Sequence, residues 1–328
     1  MKILVTGAAG FIGAHLCRSL LEEGHRVVGI DNLNPYYDPS LKAARLNYVK
    51  ESENAASAFI FHEMDICNQE SLNRLFAGER FDLVCHLAAQ AGVRYSIDCP
   101  DTYIRSNISG FFNILECCRH YPVKHLLFAS SSSVYGNNAS FPYKESDCTD
   151  EPVSLYAATK KSNELMAHSY ASLYGIPCTG LRFFTVYGSW SRPDMAPFLF
   201  VKALFEGEEI KLFNCGDMMR DFTYIDDVTE GIVQVLPRSP EKEGGHVPYR
   251  ILNIGNSMPV KLDDFVATIE RLTGITAKKA LLPMQPGDVK ATWADVSALK
   301  KLTGYSPSTS LERGLAAFVE WYRSYYKI

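Results

Sequence analysis

Residues 2–16 read KILVTGAAGFIGAHL. Lys2 to Val5 is a short apolar, β-branched run, glycines follow at Gly7, Gly10 and Gly13, and apolar positions then recur at helical spacing from Ala14 to Glu23. The pattern predicts strand, tight turn, helix. Such a turn needs glycine for the bend, for close approach of backbone to a pyrophosphate, and for packing of helix on strand, while the helix N-terminus faces the anion. The spacing is GxxGxxG rather than GxGxxG, and glycine turns join strands to helices in many folds. What gives this one meaning is the next element: Arg26 to Ile30 reads as a second strand, and Asp31 stands at its end, eighteen residues beyond Gly13. An acid there can accept hydrogen bonds from adenosine ribose hydroxyls. Working outward, the stretch predicts an α/β fold, a doubly wound parallel (Rossmann) sheet with a dinucleotide at Gly7, Gly10, Phe11, Ile12, Gly13, Asp31 and Asn32. Because Asp31 would repel a 2′-phosphate, the expected cofactor is NAD rather than NADP.

Composition excludes several other classes. The chain has 328 residues, 47% of them hydrophobic, and a formal charge of −4. That is enough to bury a sizeable core, and it points to neither disorder nor a nucleic-acid partner. Any anionic ligand must therefore be held by local cations. The nine cysteines show neither a CxxC pair nor a zinc-like His spacing, and the adjacent Cys117–Cys118 is a poor disulfide arrangement. Reduced thiols and a cytoplasmic location are expected. The apolar run at the start is too short for a signal peptide or a membrane span, so no membrane partner is expected.

A second stretch, SLYAATK at residues 154–160, carries chemistry. Tyr156 and Lys160 stand four apart in a segment that reads as helix, so both project from one face. A phenol with a pKa near ~10 must fall by about three units, roughly 4 kcal/mol, to act as a base around pH 7. An ammonium some 4 Å away, at an effective dielectric of about 20, supplies on the order of 4 kcal/mol. A lone YxxxK would be two neighbours on a solvated helix face; here it has company.

Taken in order, residues 34–46 (NPYYDPSLKAARL) form a polar, turn-rich excursion ending in a basic helix-like piece, which a surface insertion would also explain. Phe59 to His62 resumes a strand. Asp65, with Ile66, follows it, where a carboxylate either meets the adenine amino group or caps a turn. Phe81 to Leu87 reads as a buried strand running into Ala88 and Ala89, small residues suited to backbone lying close against a cofactor. Asp101 to Tyr121 reads as helix, with Asn107 inside it. Val123 to Ala129 is the next strand, and Ser130 to Ser133 stand at its carboxyl end, where ligands of open α/β sheets gather. Beyond Gly180 the pattern is less regular, with Phe198 to Glu206, Ile210 to Phe213, a Pro- and Gly-rich loop at 237–248, a short strand at Arg250 to Ile254, and helices at Leu262 to Thr273 and Leu311 to Tyr325. The expected division is a dinucleotide-binding domain over 1–180 with about 214–240, and a smaller substrate lobe over 181–213 and 241–328.

The glycine turn, the serines before Val134-Tyr135-Gly136 and the Tyr156/Lys160 pair together resemble the extended short-chain dehydrogenase/reductase family, over essentially the whole chain. The resemblance implies Ser131 as the hydroxyl that shares the substrate proton, Tyr156 as the base and Lys160 as the residue holding the nicotinamide ribose. Five segments, residues 34–46, 86–94, 182–188, 192–195 and 284–288, are similar to the narrower group of UDP-glucuronate 4-epimerases. That likeness implies a UDP-sugar partner and a homodimer pairing through helices at 101–121 and 153–174. It also implies substrate contacts from Arg94, Ser132, Ser133, Thr185, Arg192, Phe213 near the uracil, Arg220 at the diphosphate, and Asp288. Where that group usually carries Pro, and often Gly, around the tryptophan, this chain has Ser189-Trp190-Ser191.

The implied reaction oxidises carbon 4 to a ketone, turns the sugar over and reduces the other face. Oxidation places the ketone β to the carboxylate, so carbon dioxide can be lost whenever that bond aligns with the carbonyl π system. Hydroxyl and guanidinium donors from Ser132, Ser133, Thr185 and Arg192 could hold it out of alignment; a surface Arg in a mobile loop is the bland alternative for Arg192. Rival readings are UDP-glucuronate decarboxylase or 4,6-dehydratase, whose relatives carry acids where Ser132 and Ser133 stand. A 4-epimerase of neutral UDP-sugars and a non-catalytic NAD-binding redox sensor are the others.

Overall fold

The computed structural model describes every residue except Ala139, Glu243 and Pro286; Pro286, in the 284–288 segment quoted above, therefore lies outside the described residues. Seven strands make one parallel sheet: β1 (Lys2–Thr6), β2 (Arg26–Asp31), β3 (Phe59–Glu63), β4 (Leu83–His86), β5 (His125–Ser131), β6 (Cys178–Phe183) and, after three strands that lie elsewhere, Tyr249–Ile254. Their order is β3-β2-β1-β4-β5-β6 followed by Tyr249–Ile254. The order reverses between β1 and β4, both hydrogen-bonded to each other along Ile3–Thr6, and this is where open α/β sheets bind ligands.

Alternation in β1 explains why the sheet is covered on both faces. Ile3 and Val5 enter one apolar core with α1 (Phe11–Glu22), while Leu4 enters the other, with Phe76, Phe111 and Ile114. A parallel strand buried on both sides reads as a continuous apolar run, which is how Ile3 to Val5 looks in the sequence.

The lobe has its own core around Phe198, Phe222, Phe265 and Phe318. Its strands are β7 (Thr185–Tyr187), β8 (Glu209–Leu212), β9 (Met219–Tyr224) and, beyond Tyr249–Ile254 (β10), β11 (Pro259–Lys261) and β12 (Lys278–Leu281). They form a three-stranded sheet β11-β9-β7 and a pair β12-β8. One boundary needs correction. Residues 241–328 were expected in the lobe, yet β10 closes the main sheet beside β6, with Ile251 opposite Gly180. Leu299, later still, packs into the main core. The reason is steric: a Cβ at Gly180 would meet Ile251 at 2.5 Å, so the glycine in β6 admits the Ile251 side chain.

The 101–121 segment is helical, but in three pieces: Pro100–Tyr103, a π-helical Ile104–Gly110, and Phe111–His120. The wide turn is centred on Asn107. Its side chain donates to the Gln90 carbonyl at 3.0 Å and accepts from the Gln90 amide at 2.8 Å, tying the helix to the segment after β4. The excursion at 34–46 is not a surface insertion: it leads into α2 (Pro39–Lys50), in which Lys42 and Arg45 are buried.

Candidate active site

One cavity of about 960 Å³ runs from the glycine turn to the lobe, at the upper end of the roughly 300–1,000 Å³ typical of small-molecule sites. At its first end Gly7 adopts φ +72, and a Cβ there would meet the Ala88 amide nitrogen at 2.8 Å. A Cβ at Gly13 would meet the Gly7 carbonyl at 2.0 Å. Side chains at these positions would collide with the backbone and force the turn open, so the glycines keep it tight enough for backbone to lie against a pyrophosphate at the N-terminus of α1. Gly10, Phe11, Ile12, Asn32 and Ile66 line the same end, with Leu87, Ala88 and Ala89 opposite. Asp31, at the tip of β2, accepts from the Ala9 amide at 3.2 Å and the Leu33 amide at 2.8 Å. Lys42, which sequence reasoning missed, brings its Nζ to 3.8 Å from Asp31. These residues fit a dinucleotide.

Asp65 is the exception among the expected cofactor residues, and it does not line the cavity. Its carboxylate accepts from the Cys67 amide at 2.8 Å and pairs with Arg105 at 3.2 Å, contacts of the kind that the capping alternative expects.

The middle of the cavity holds the acid–base set. Ser131 is the last residue of β5, and Tyr156 and Lys160 lie in the first turns of the Leu155–Tyr174 helix, N-capped by Ser154, whose hydroxyl accepts from the Ala157 amide at 3.1 Å. The Ser131 hydroxyl donates to Ser133 Oγ at 3.1 Å and accepts from the Ser133 amide at 3.1 Å, and it lies close enough to the Tyr156 phenol to favour its ionised form. The phenol differs from expectation. Burial pushes its pKa up, and Ser131 and Arg192 pull only part of the way back. Lys160 does not supply the lowering that its spacing suggested, because its Nζ donates to the Ala129 carbonyl at 2.9 Å and burial brings its own pKa down to about 8. In the polypeptide alone the base is a neutral phenol.

This set is braced from behind by residues that no motif flagged. Arg182 on β6 and Glu164 on the Tyr156 helix form a buried two-point pair, Nε to Oε1 at 2.8 Å and Nη2 to Oε2 at 2.9 Å. Ser130 donates to the same Oε1 at 2.6 Å. Ser130 and Arg182 are register partners across β5 and β6, so the pair locks the strand bearing Ser131 to the helix bearing Tyr156. Arg182 lay inside a segment already marked by resemblance; Glu164 carried no signal beyond being an acid on a helix.

The lobe end carries the cations. Arg220 on β9 donates to Asp288 at 2.8 Å, and Arg94 lies 3.9 Å from the same carboxylate while its guanidinium covers the Phe213 ring at 4.7 Å. Asp288 thus sits between two arginines that face the cavity. Ser132 and Ser133, Thr185 at the start of β7, and Arg192 line the wall between this end and Tyr156. Arg192 is not a surface residue of a mobile loop. It donates through Nε to Asp194 Oδ1 at 3.0 Å and through Nη2 to Oδ2, while Tyr36 donates to the same Oδ2 at 3.1 Å. Burial opposes ionisation of Asp194, but the adjacent Arg192 holds its carboxyl below the usual range. Asp194 and Tyr36 were overlooked although both stand in segments quoted for their resemblance.

A parallel sheet with a glycine turn at its switch point and an acid at the end of the next strand, joined to a Ser–Tyr–Lys set and a cation-lined lobe, defines a dinucleotide-dependent enzyme acting on an anionic substrate. Residues 3–255 match the NAD dependent epimerase/dehydratase family, and the chain belongs to it. It is 48% identical over 337 residues to UDP-glucuronate 4-epimerase 4 of Arabidopsis thaliana, spanning 99% of this chain and 76% of that one. To a probable UDP-glucuronate 4-epimerase of Rhizobium meliloti (strain 1021) it is 46% identical over 339 residues, spanning 100% of this chain and 98% of the relative. In three dimensions it is similar to a UDP-glucuronic acid 4-epimerase from Bacillus cereus solved in complex with UDP-glucuronic acid and NAD, with a TM-score of 0.90, 37% identity, and 99% and 100% of the two chains covered.

Proposed function

We propose that this protein is an NAD-dependent 4-epimerase that interconverts UDP-glucuronate and UDP-galacturonate. The observation that carries the proposal is that one cavity is lined by the glycine turn, by Tyr156 and Lys160, and by Ser132, Ser133, Thr185 and Arg192. Those last four supply hydroxyl and guanidinium donors where a sugar carboxylate would lie.

Asp31 accepts the ribose hydroxyls of the adenosine half, the turn at Gly7–Gly13 takes the pyrophosphate, and Lys160 holds the nicotinamide ribose. Bound there, NAD supplies the acceptor for the hydride on carbon 4 and returns it to the ketone. Tyr156, once ionised, takes the 4-hydroxyl proton with Ser131 donating a hydrogen bond to it, so the developing negative charge stays solvated as carbon 4 becomes a carbonyl. Ionising the phenol at neutral pH needs more positive charge than the polypeptide alone brings to it. Lys160, with a pKa of about 8, is largely cationic there and turns neutral in alkali. Arg220 and Arg94 exchange Asp288 for the diphosphate and hold it while the sugar rotates about its phosphate link. Tyr156 then returns its proton to the oxygen on carbon 4 as the hydride adds to the opposite face of that carbon.

The bidentate Arg192–Asp194 pair favours one second reading, a 4-epimerase of neutral UDP-sugars, since Asp194 already neutralises the guanidinium. Incubation with UDP-glucuronate, UDP-glucose and UDP-N-acetylglucosamine, with separation of products, distinguishes them. Conversion of UDP-glucuronate with a kcat/KM at least tenfold above either neutral sugar is expected; preference for a neutral sugar refutes the proposal.

Two further features belong with it. Ile104 and Phe112 on one helical segment, and Leu165, Leu173 and Tyr174 on the neighbouring one, are large apolar residues left exposed. They fit a homodimer formed through these two helices, and Leu173→Glu would then give a monomer by sedimentation. Among the described residues no helix is long and apolar enough to cross a membrane, and all nine cysteines are free. The free thiols support a cytoplasmic location.

A further inference from the structure

Arg45 on α2 is wholly buried, with 0% exposure, and none of its hydrogen bonds goes to a carboxylate. A buried guanidinium is costly unless every donor is used. Here Nη1 donates to the Ala9 carbonyl at 3.2 Å and to the Tyr37 hydroxyl at 2.5 Å, Nε to the Trp190 carbonyl at 2.9 Å, and Nη2 to the Ser191 carbonyl at 3.1 Å. The one hydroxyl acceptor, Tyr37, lies on the segment leading into α2 itself, and the three carbonyl acceptors fall into two groups. Ala9 lies within the glycine turn, and Trp190 and Ser191 are the two residues immediately before Arg192.

The loop needs such an anchor. Trp190 adopts φ +63, in the left-handed region that disfavours any side chain, and no proline stiffens Ser189-Trp190-Ser191. Among the described residues the buried Ser191 hydroxyl has no hydrogen-bond partner, so its side chain does not hold the loop. The Trp190 indole is packed by Tyr48, Trp321 and Tyr325, and the Ser191 amide donates within the loop to the Gly188 carbonyl at 3.2 Å, while the Trp190 and Ser191 carbonyls are held by Arg45.

We propose that Arg45 is a positioning residue that fastens the Arg192 loop to the glycine turn, so that cofactor cradle and sugar-carboxylate donor keep one fixed relation. The proposal rests on the reading of Arg192 as a carboxylate donor. Arg45 touches neither substrate nor reacting atoms. Its effect is read in product partition: when the carboxylate swings into alignment with the 4-ketone, the carbon–carbon bond breaks and carbon dioxide leaves. The bonding pair forms an enolate that takes a proton on carbon 5, UDP-4-keto-pentose departs, and the two electrons removed from carbon 4 remain as NADH.

The test compares Arg45→Lys with Arg192→Ala and the unmutated enzyme, all loaded with NAD and given UDP-glucuronate. Keto-pentose is followed by chromatography and NADH by absorbance. Lysine keeps the charge but cannot span both groups of acceptors. Arg45→Lys should raise the KM for UDP-glucuronate and the keto-pentose fraction at least tenfold each, with a much smaller change in kcat. Unchanged KM and partition in Arg45→Lys beside a leaking Arg192→Ala overturn the proposal and leave the role of Arg192 standing. If Arg192→Ala leaks nothing, that role fails instead, and a crystal structure of Arg45→Lys decides: a displaced Ser189–Arg192 loop supports the positioning role, an unmoved loop overturns it. Should Arg45→Lys not fold, Tyr37→Phe removes a single acceptor and should raise the keto-pentose fraction about threefold; no rise overturns the proposal.

Discussion

Breaking the Arg182–Glu164 pair should destabilise the protein far more than removing it whole. Both side chains are 4% exposed, and the pair is held at two points with Ser130 on the same carboxylate. Arg182→Met leaves a carboxylate buried with one hydroxyl donor, which costs about 3–5 kcal/mol. At roughly 2.1 cal/mol/K of unfolding entropy per residue, a chain of this length loses about 1.5 °C per kcal/mol, so the melting temperature should fall by about 4–7 °C. Glu164→Leu, which strands the guanidinium instead, should cost a similar amount. The double variant leaves neither charge behind; it loses the Ser130 bond and the stacking of Arg182 on Tyr135, at 4.8 Å, and should lie within about 2 kcal/mol of the unmutated protein. Calorimetry and urea denaturation of all four proteins complete the cycle. If the double variant loses the sum of the two single losses, the two groups do not act as a buried pair, and the account of how the Ser131 strand is locked to the Tyr156 helix fails.

Tyr156→Phe should keep fold and NAD affinity while turnover drops by several orders of magnitude, because ring packing survives and the proton acceptor does not; retention of a tenth of the rate in a product assay would remove the assignment. NADP should bind far more weakly than NAD, and Asp31→Ala should narrow the gap by calorimetric titration, with Lys42 left to meet a 2′-phosphate; equal affinities in the unmutated protein would refute this. Burial holds His15 and His125 down at about 4, and burial with the nearby Lys160 holds His86 at about 3. Each is lower than in the unfolded chain, so the stability they contribute is complete above about pH 6.5 and is lost as pH falls from there toward the folded values. The loss should be on the order of 2 kcal/mol per histidine by pH 5, and a melting temperature unchanged between pH 7 and 5 would contradict it.

Local chemistry accounts for what could be read from the chain alone. The glycine turn and the acid after β2 are dictated by backbone conformation and by the distance one βαβ unit spans, so GAAGFIG and Asp31 are readable in any context. Tyr156 and Lys160 share a helix face because 3.6 residues make a turn, while the roles expected of them came from the family resemblance rather than from the spacing. Interactions between distant segments were not readable. Arg45 looks like one more basic residue on a polar helix until the Trp190 and Ser191 carbonyls arrive from 145 and 146 residues away. Glu164 and Arg182 acquire meaning only where β6 passes the Tyr156 helix, and β10 joins the main sheet because a glycine in β6 leaves room for Ile251. Even the pKa of Tyr156, which spacing suggested would be low, is raised by its surroundings in the fold. Desolvation depends on everything that surrounds a group, and a linear sequence does not specify what that is.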